Sequence, residues 1–302
     1  MFIIKYKKIF LSISAIAVLA SIIFLVAFRL NLGIEYTGGA IIDFTTTEQV
    51  SEAEIKERIT SGVGSNFILR TTESGFSLRI KNIGEDTSHN LHILNVISNN
   101  NLDSITVQKF DTIGPTLGTE LKYKAGMAIL LVILSVTLFI AYAFRHVSKP
   151  VSSWRYGLIT MIALVHDVII TLGVFALLGY TTGLEIDSLF LTAILVILGY
   201  SINDTIVVFD RVRENLLAAP EYKREKEFDA IVGESLSQTF VRSFNTSFTT
   251  LLSLGVIFVL TPSSIHNFAL ALIIGIAAGT YSSLFVAAPL LTYSNRPQNP
   301  SK

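Results

Sequence analysis

Five polar side chains stand inside stretches of the chain that are otherwise almost wholly apolar: His166 and Asp167, Asn203 and Asp204, and Arg242. An ionisable group held in lipid is costly, so each needs a partner or a task. Asp204 and Arg242 carry opposite charges in consecutive apolar runs. If those runs pack side by side, carboxylate and guanidinium can meet and offset much of the cost of burying each. An Asp in that position takes up and releases a proton when its pairing changes with conformation. Thr239, Arg242, Thr246, Thr249 and Ser253 recur every three or four residues, which puts them on one helical face, with Asn245 and Thr250 broadening the stripe. His166 and Asp167 extend the set of proton-binding groups. The plain alternative is that such groups glue helices together. The hydroxyl residues are read first as glue and Asp204 with Arg242 as functional, while His166 and Asp167 stay open between the two. Asp167 and Asp204 could also form a hydrolytic dyad, a remote reading because each already has a charged or imidazole neighbour.

The elements that must position these groups are apolar runs of about 20 residues, long enough to cross a bilayer. There are six: Ile9–Phe28, Ala125–Phe144, Tyr156–Leu178, Leu189–Phe209, Val241–Leu260 and Asn267–Tyr293. The composition agrees, with 51% hydrophobic and 15% charged residues against about 25% charged in a typical soluble domain. The first run is too long for a signal peptide, and no small-residue cleavage site ends it before Arg29. Lys and Arg mark the cytoplasmic loops. Arg145, Lys149 and Arg155 join the second and third spans. Arg211, Arg213, Lys223, Arg224 and Lys226 join the fourth and fifth. The loops Gly179–Ser188 and Thr261–His266 have no Lys or Arg. Both termini are therefore expected in the cytoplasm. In the sixth span Ala271, Gly275, Gly279 and Ser283 repeat at four-residue spacing, a small-residue face for close helix packing. The stretch Glu227–Phe244 interleaves apolar and polar residues, as a helix lying on the membrane surface before turning into the fifth span would.

One long segment, 30–124, is polar enough to lie in water. Gly39–Thr45 reads as a strand, and Ser51 with Glu54 as the capping box of a helix. Phe67–Thr71 and Phe76–Lys81 flank the Glu73-Ser74-Gly75 turn as a hairpin. Asp86–Ser98 places Leu91, Leu94 and Ile97 on one helical face, and Ile105–Phe110 closes as a strand. The expected fold is therefore an all-α membrane bundle of six transmembrane helices with an α+β ferredoxin-like external domain between the first and second. Its parts are 1–29, the N-terminus and first helix; 30–124, the external domain; 125–294, helices two to six; and 295–302, a cytoplasmic tail. Several activities fall away. The chain has no Cys, which removes disulfides and thiolate chemistry, and no phosphate-binding loop of the P-loop type. Its 23 basic and 23 acidic residues balance, so no basic field attracts nucleic acid.

The motifs add a resemblance. Leu198-Gly199-Tyr200-Ser201-Ile202-Asn203-Asp204-Thr205, running on to Asp210-Arg211, resembles the fourth-span signature of the SecD/SecF family of bacterial protein-export subunits, on its SecF side. Gly33-Ile34-Glu35-Tyr36-Thr37-Gly38-Gly39 resembles the family's glycine-rich motif outside the first span, with Glu and Tyr where Asp and Phe are commoner. His166-Asp167-Val168 fits the third span. Gln238 to Arg242 with Asn245-Thr246-Ser247 resembles the fifth, and Gly279-Thr280-Tyr281-Ser282-Ser283 the sixth. The resemblance implies a non-enzymatic subunit of the Sec translocase in the bacterial inner membrane, related to half of a resistance-nodulation-division transporter. It implies SecD as partner, association with the SecYEG channel, an unfolded polypeptide as cargo, and no cofactor beyond the proton gradient. It also implies proton conduction at Asp204 and Arg242. Two other readings remain: a half-transporter for a small molecule or lipid, and a purely structural assembly factor.

Overall fold

The computed structural model describes residues 2–47, 50–64, 67–72, 75–81, 87–145, 151–220, 227–261 and 263–293. The 295–302 tail, Glu73 and Ser74, Asp86, and the loop cations Lys149, Lys223, Arg224 and Lys226 lie outside the described residues. The chain divides into two units, one formed by 32–126 and the other by 1–31 with 127–302.

The smaller unit alternates strands and helices in the order β1 (Gly39–Thr46), α4 (Glu52–Gly62), β2 (Phe67–Thr72), β3 (Gly75–Lys81), α5 (Thr87–Ile97) and β4 (Ile105–Ile113). Upstream lie α1 (Phe2–Lys5), α2 (Lys7–Phe28) and α3 (Ile34–Thr37). The sheet order is β2-β3-β1-β4 and every pairing is antiparallel. Period-two alternation turns Ala40, Ile42 and Phe44 of β1 inward, where Ile55 and Ile59 of α4 and Ile93 and Ile97 of α5 cover the sheet. One extra residue in β4, Gln108, falls between the partners of Asp43 and Phe44 and makes a bulge. Ser51 caps α4 by accepting from the Glu54 amide at 3.3 Å, while the Glu54 carboxylate turns to Arg58 at 2.7 Å. Only half of the expected capping box therefore forms. The buried face of α5 also differs from expectation, because Leu91 is exposed and Ile93 packs with Ile97. The Gly38-Gly39 pair sits at positive φ, and a Cβ on Gly38 would lie 2.7 Å from the Pro115 Cα. Only glycine fits there.

The larger unit is helical. Besides α2 it holds α6 (Pro115–Ala143, from residue 127 on), α7 (Ser153–Thr182), α8 (Ser188–Ala218), α9 (Phe228–Leu260), α10 (Ser263–Ser282), a π-helical turn at Ser283–Ala287 and α11 (Ala288–Tyr293). Among the described residues six helices are long and apolar enough to cross a membrane, the last being Ile265–Tyr293 across the π turn. Those helices overrun the apolar stretches read from sequence. The clearest case is α9, which runs unbroken from Phe228, so Glu227–Phe244 does not lie apart as a surface helix. Its early residues Phe228, Ile231, Val232 and Leu236 are drawn into a core with Tyr156, Phe209 and Val212, and no Pro or Gly pair offers a break. At 33 residues it is about 50 Å long, well beyond a hydrocarbon core of about 30 Å.

Small residues set the close approaches. The backbone of α2 meets α7 where Ser21 faces Gly173, and α8 meets α10 where Ile197 faces Gly275 and Ser201 faces Gly279. Gly275 and Gly279 thus lie against side chains of α8, and Ser283 shares a hydrogen bond with Thr205 of the same helix. Pro289 follows the π turn. It lacks the N–H that would bond the fourth residue back and crowds that carbonyl, and a widened turn accommodates both defects. At one end of the bundle Lys7 reaches the Asp229 carboxylate at 2.7 Å and the Thr292 hydroxyl at 2.8 Å, tying together α2, α9 and α11.

Candidate functional site

Asp204 lies on α8, 3% exposed, with its carboxylate toward α9. The hydrogen bond it accepts comes from the Ser247 hydroxyl at 3.2 Å. Thr280 of α10 in turn donates to Ser247 at 2.7 Å, and the Tyr200 hydroxyl stands 3.5 Å from Ser247 and 3.3 Å from Thr250. Ser243, one turn before Ser247, is buried on the same face of α9, its Oγ outside hydrogen-bonding geometry. Ser247 of α9 therefore stands between the Asp204 carboxylate and the hydroxyls that α8 and α10 turn toward it.

Asp167 forms a second centre. It is wholly buried on α7, and its Oδ1 is 2.8 Å from the Nδ1 of His166. Its Oδ2 accepts from Ser201 of α8 at 2.5 Å and from Ser282 of α10 at 3.0 Å. The His166 ring stacks on Tyr281, whose hydroxyl donates to the Phe10 carbonyl at 2.8 Å, while the buried Nε2 has no hydrogen-bond partner among the described residues. Gly279 makes room for this cluster, since a Cβ there would sit 3.0 Å from the Ser201 Cβ and 3.4 Å from Asp167 Oδ2. One turn on, Thr205 and Ser283 share a hydrogen bond at 3.0 Å. The adjacent residues Ser282 and Ser283 thus both face inward at the start of the π turn.

The five residues read from sequence are not all brought together. Asp204 on α8 faces α9 while Asp167 on α7 faces α8 and α10, and no direct bond joins them. Asn203 is exposed. Arg242 does not pair with Asp204: it is exposed, and among the described residues its guanidinium makes no hydrogen bond or ion pair. The reason is the rotation of α9. Its inward face carries Thr239, Ser243, Ser247 and Leu254, about 100° around the helix from the stripe Arg242, Thr246, Thr249 and Ser253. Of the expected stripe only Thr239 is buried. Thr246, Thr249 and Ser253 are exposed and donate to carbonyls four residues back, at 2.9, 2.9 and 3.0 Å. A third sector, Phe240, Phe244 and Phe248, is a ladder of stacked rings. Ser201, Ser247, Thr280 and Ser282 are the functional candidates that motif reading quoted without giving a role. Among the described residues no cluster of His, Asp and Glu is suited to a metal ion.

Comparison with known proteins follows the same residues. Residues 93–296 match the family model described as protein export membrane protein SecD/SecF, C-terminal, a stretch that contains both carboxylate centres. The chain belongs to the SecD/SecF family. It is 36% identical to the protein translocase subunit SecF of Thermobaculum terrenum, over 96% of this chain and 92% of that one. It is also 36% identical to the SecF of Haemophilus influenzae, over 94% and 82%. Among solved structures it superposes on SecDF of Thermus thermophilus, a translocon-associated membrane protein, with a TM-score of 0.78 and 28% identity. That alignment covers 97% of this chain but 38% of the longer one. SecDF in its super-membrane-facing form aligns with a TM-score of 0.64 and 30% identity. Membership of this family and the six apolar helices make the chain a multi-pass membrane protein of protein-transport type.

Proposed function

We propose that this chain is an accessory subunit of the Sec protein translocase in the bacterial inner membrane, acting with a SecD partner to turn proton flow into work on an emerging polypeptide. The observation that carries the reading is Asp204, a carboxylate in an apolar span that accepts from the Ser247 hydroxyl of α9, which Thr280 of α10 supports in turn. A carboxylate in lipid is stable only if neutral, paired or hydrogen-bonded, so changes in its surroundings translate into uptake or release of a proton. The exposed sector Arg242, Thr246, Thr249 and Ser253 supports a partner. A guanidinium facing hydrocarbon is expensive, and helices of a second six-span bundle would cover it. The low coverage of the longer SecDF chain leaves room for such a bundle. In this reading Arg242 reaches Asp204 in another conformation of the pair, and the switch between Ser247 and Arg242 as carboxylate partner accompanies proton transfer.

The same proposal puts 30–124 outside the membrane as a ferredoxin-like domain, a reading supported by its β2-β3-β1-β4 order. It puts 125–294 in the bundle, with both termini and the 295–302 tail in the cytoplasm. The SecYEG channel, the translocating unfolded chain and the surrounding lipid are the remaining contacts. The test is Asp204→Asn in cells whose export is followed with the proton gradient intact and collapsed. Loss of the gradient-dependent part of export, with normal insertion, is expected. Export at the normal rate that still responds to the gradient would refute the role of Asp204.

A further inference from the structure

We propose that the Gly279–Ser283 segment of the sixth span links the two buried carboxylates, so that a change of protonation at Asp167 is transmitted to Asp204, with Thr280 and Ser282 as positioning residues. The inference rests on the reading of Asp204 as a proton-binding group and adds Asp167 as a second, internal one.

The geometry is that of one helical segment holding two sites. Thr280 donates to Ser247, the residue that donates to Asp204. Two residues later Ser282 donates to Asp167. Gly279 lets the segment lie against Ser201, which supplies the shortest contact to Asp167, and Ser283 bonds Thr205 and the Ser201 carbonyl on α8. On the other side of the network α8 carries both Ser201 and Asp204. The two carboxylates are therefore joined by two short routes, one through α8 and one through α10. The segment also runs directly into the π turn at Ser283–Ala287, where an extra residue per turn is a local fault that a small shift in register can move. When Asp167 gains a proton, Ser201 and Ser282 lose an anionic acceptor. Ser282 can instead donate to the Gly279 carbonyl, 3.0 Å away, and Thr280 to the Ile276 carbonyl at 2.8 Å. Each hydroxyl thus has a second acceptor already in place within its own helix. Releasing Ser282 frees the segment, Thr280 leaves Ser247, and the Asp204 carboxylate loses the support behind its donor.

The groups that face the pair are few. Asp167 meets the titratable His166, which stacks on Tyr281, and the hydroxyls of Ser201 and Ser282. Asp204 meets Ser247 and buried Ser243 from α9, with Tyr200 and Thr280 one bond further out and the exposed Arg242 the cation on the same helix as its donor. The hydroxyl relay is thus the direct physical path between the centres.

The experiment is isotope-edited infrared titration of the full chain in lipid nanodiscs, with the two carboxyl bands assigned by Asp204→Asn and Asp167→Asn. Loss of one hydrogen bond to a carboxylate moves a titration midpoint by about one pH unit. Ser282→Ala, which removes a direct donor, is expected to move the Asp167 midpoint by that amount and the Asp204 midpoint measurably. Thr280→Val, which acts on Asp204 through Ser247, is expected to move both by less, and Thr280→Ser to restore both. Should Ser282→Ala fail to insert, Asp167→Asn poses the same question through the Asp204 band. The proposal is overturned if each variant moves only the carboxylate beside it, or if Asp167→Asn leaves the Asp204 band in place. Because the readout needs no export, coupling seen in a protein whose Asp204→Asn variant exports normally would sustain the link and refute only the proton-driven role.

Discussion

Gly275 offers the sharpest steric test of how α8 and α10 are held together. A Cβ at this position would lie 2.1 Å from Cδ1 of Ile197, 2.5 Å from its Cγ1 and 2.9 Å from its Cγ2. Carbon atoms in contact prefer separations of about 3.5–4.0 Å, so the nearest atom must retreat by about 1.5 Å. Rotation about χ2 moves Cδ1 alone and leaves the two Cγ atoms in conflict. Ile197 is wholly buried, which leaves no solvent into which the side chain can swing. Gly275→Ala should therefore overpack the interface and cost about 1–3 kcal/mol, less up to about 1 kcal/mol recovered from the better helix propensity of Ala. The helices must also part, which loosens the Ser201–Asp167–Ser282 cluster one turn away. Equilibrium unfolding in mixed micelles gives the stability of Gly275→Ala, Ile197→Ala and the double variant. Ile197→Ala alone leaves a cavity and costs about 2–5 kcal/mol, whereas together the new methyl occupies space the old side chain left. The two changes should couple favourably by at least about 1 kcal/mol. A Gly275→Ala variant as stable as the parent, or strict additivity with Ile197→Ala, would refute the steric argument.

Ser51→Ala should destabilise the sheet-bearing unit by about 0.5–2 kcal/mol, since it removes the acceptor of the Glu54 amide at the start of α4; hydrogen exchange of the α4 amides reads it, and unchanged protection would count against the cap. Lys7→Met should lower bundle stability by less than about 1 kcal/mol, because Asp229 is largely exposed. A larger loss in thermal unfolding would mean that the Thr292 bond matters more than the ion pair. The Asp111 hydrogen bond raises the pKa of Lys109. The group thus stabilises the folded sheet below its ordinary value and loses that contribution as pH rises through the raised one. Lys109→Met should therefore lower stability at neutral pH, slightly because both side chains are exposed, and flatten the alkaline end where the two proteins converge. Chemical denaturation at neutral pH and above about pH 11 reads it, and equal stability at neutral pH would count against the pair. A photo-cross-linking residue placed at Thr249 should form a cross-link to a co-expressed SecD partner, read on a denaturing gel; cross-links to lipid alone would remove the exposed sector of α9 as an interface.

How much was legible in the sequence depended on whether the pattern had one physical solution. Strand alternation in Ala40, Ile42 and Phe44 has one buried side, and the structure buries that side. Likewise Gly275 and Gly279 announce a close approach, because small residues at four-residue spacing have no other use to lipid, and both meet side chains of α8. The fifth span has two solutions. Polar residues fill two neighbouring sectors of α9, Arg242-Thr246-Thr249-Ser253 and Thr239-Ser243-Ser247, and helical periodicity fits each equally well. Choosing between them requires knowing where α8 lies. In a soluble helix the most apolar sector would decide, by pointing inward. In lipid that rule fails, because Phe244 and Phe248 are content on the outside and are exposed. Reading the Phe ladder as the lipid side excludes only the sector opposite the two polar ones. The choice between them then turns on charge. A lone chain buries the sector with neutral hydroxyls and leaves Arg242 outside, where burial without a bonded partner would cost most. In the proposed assembly the Arg242 sector is the one a second bundle would cover. The two polar sectors of α9 are therefore alike in period and differ in charge: α8 and α10 meet the neutral one at Ser247, and Arg242 marks the other.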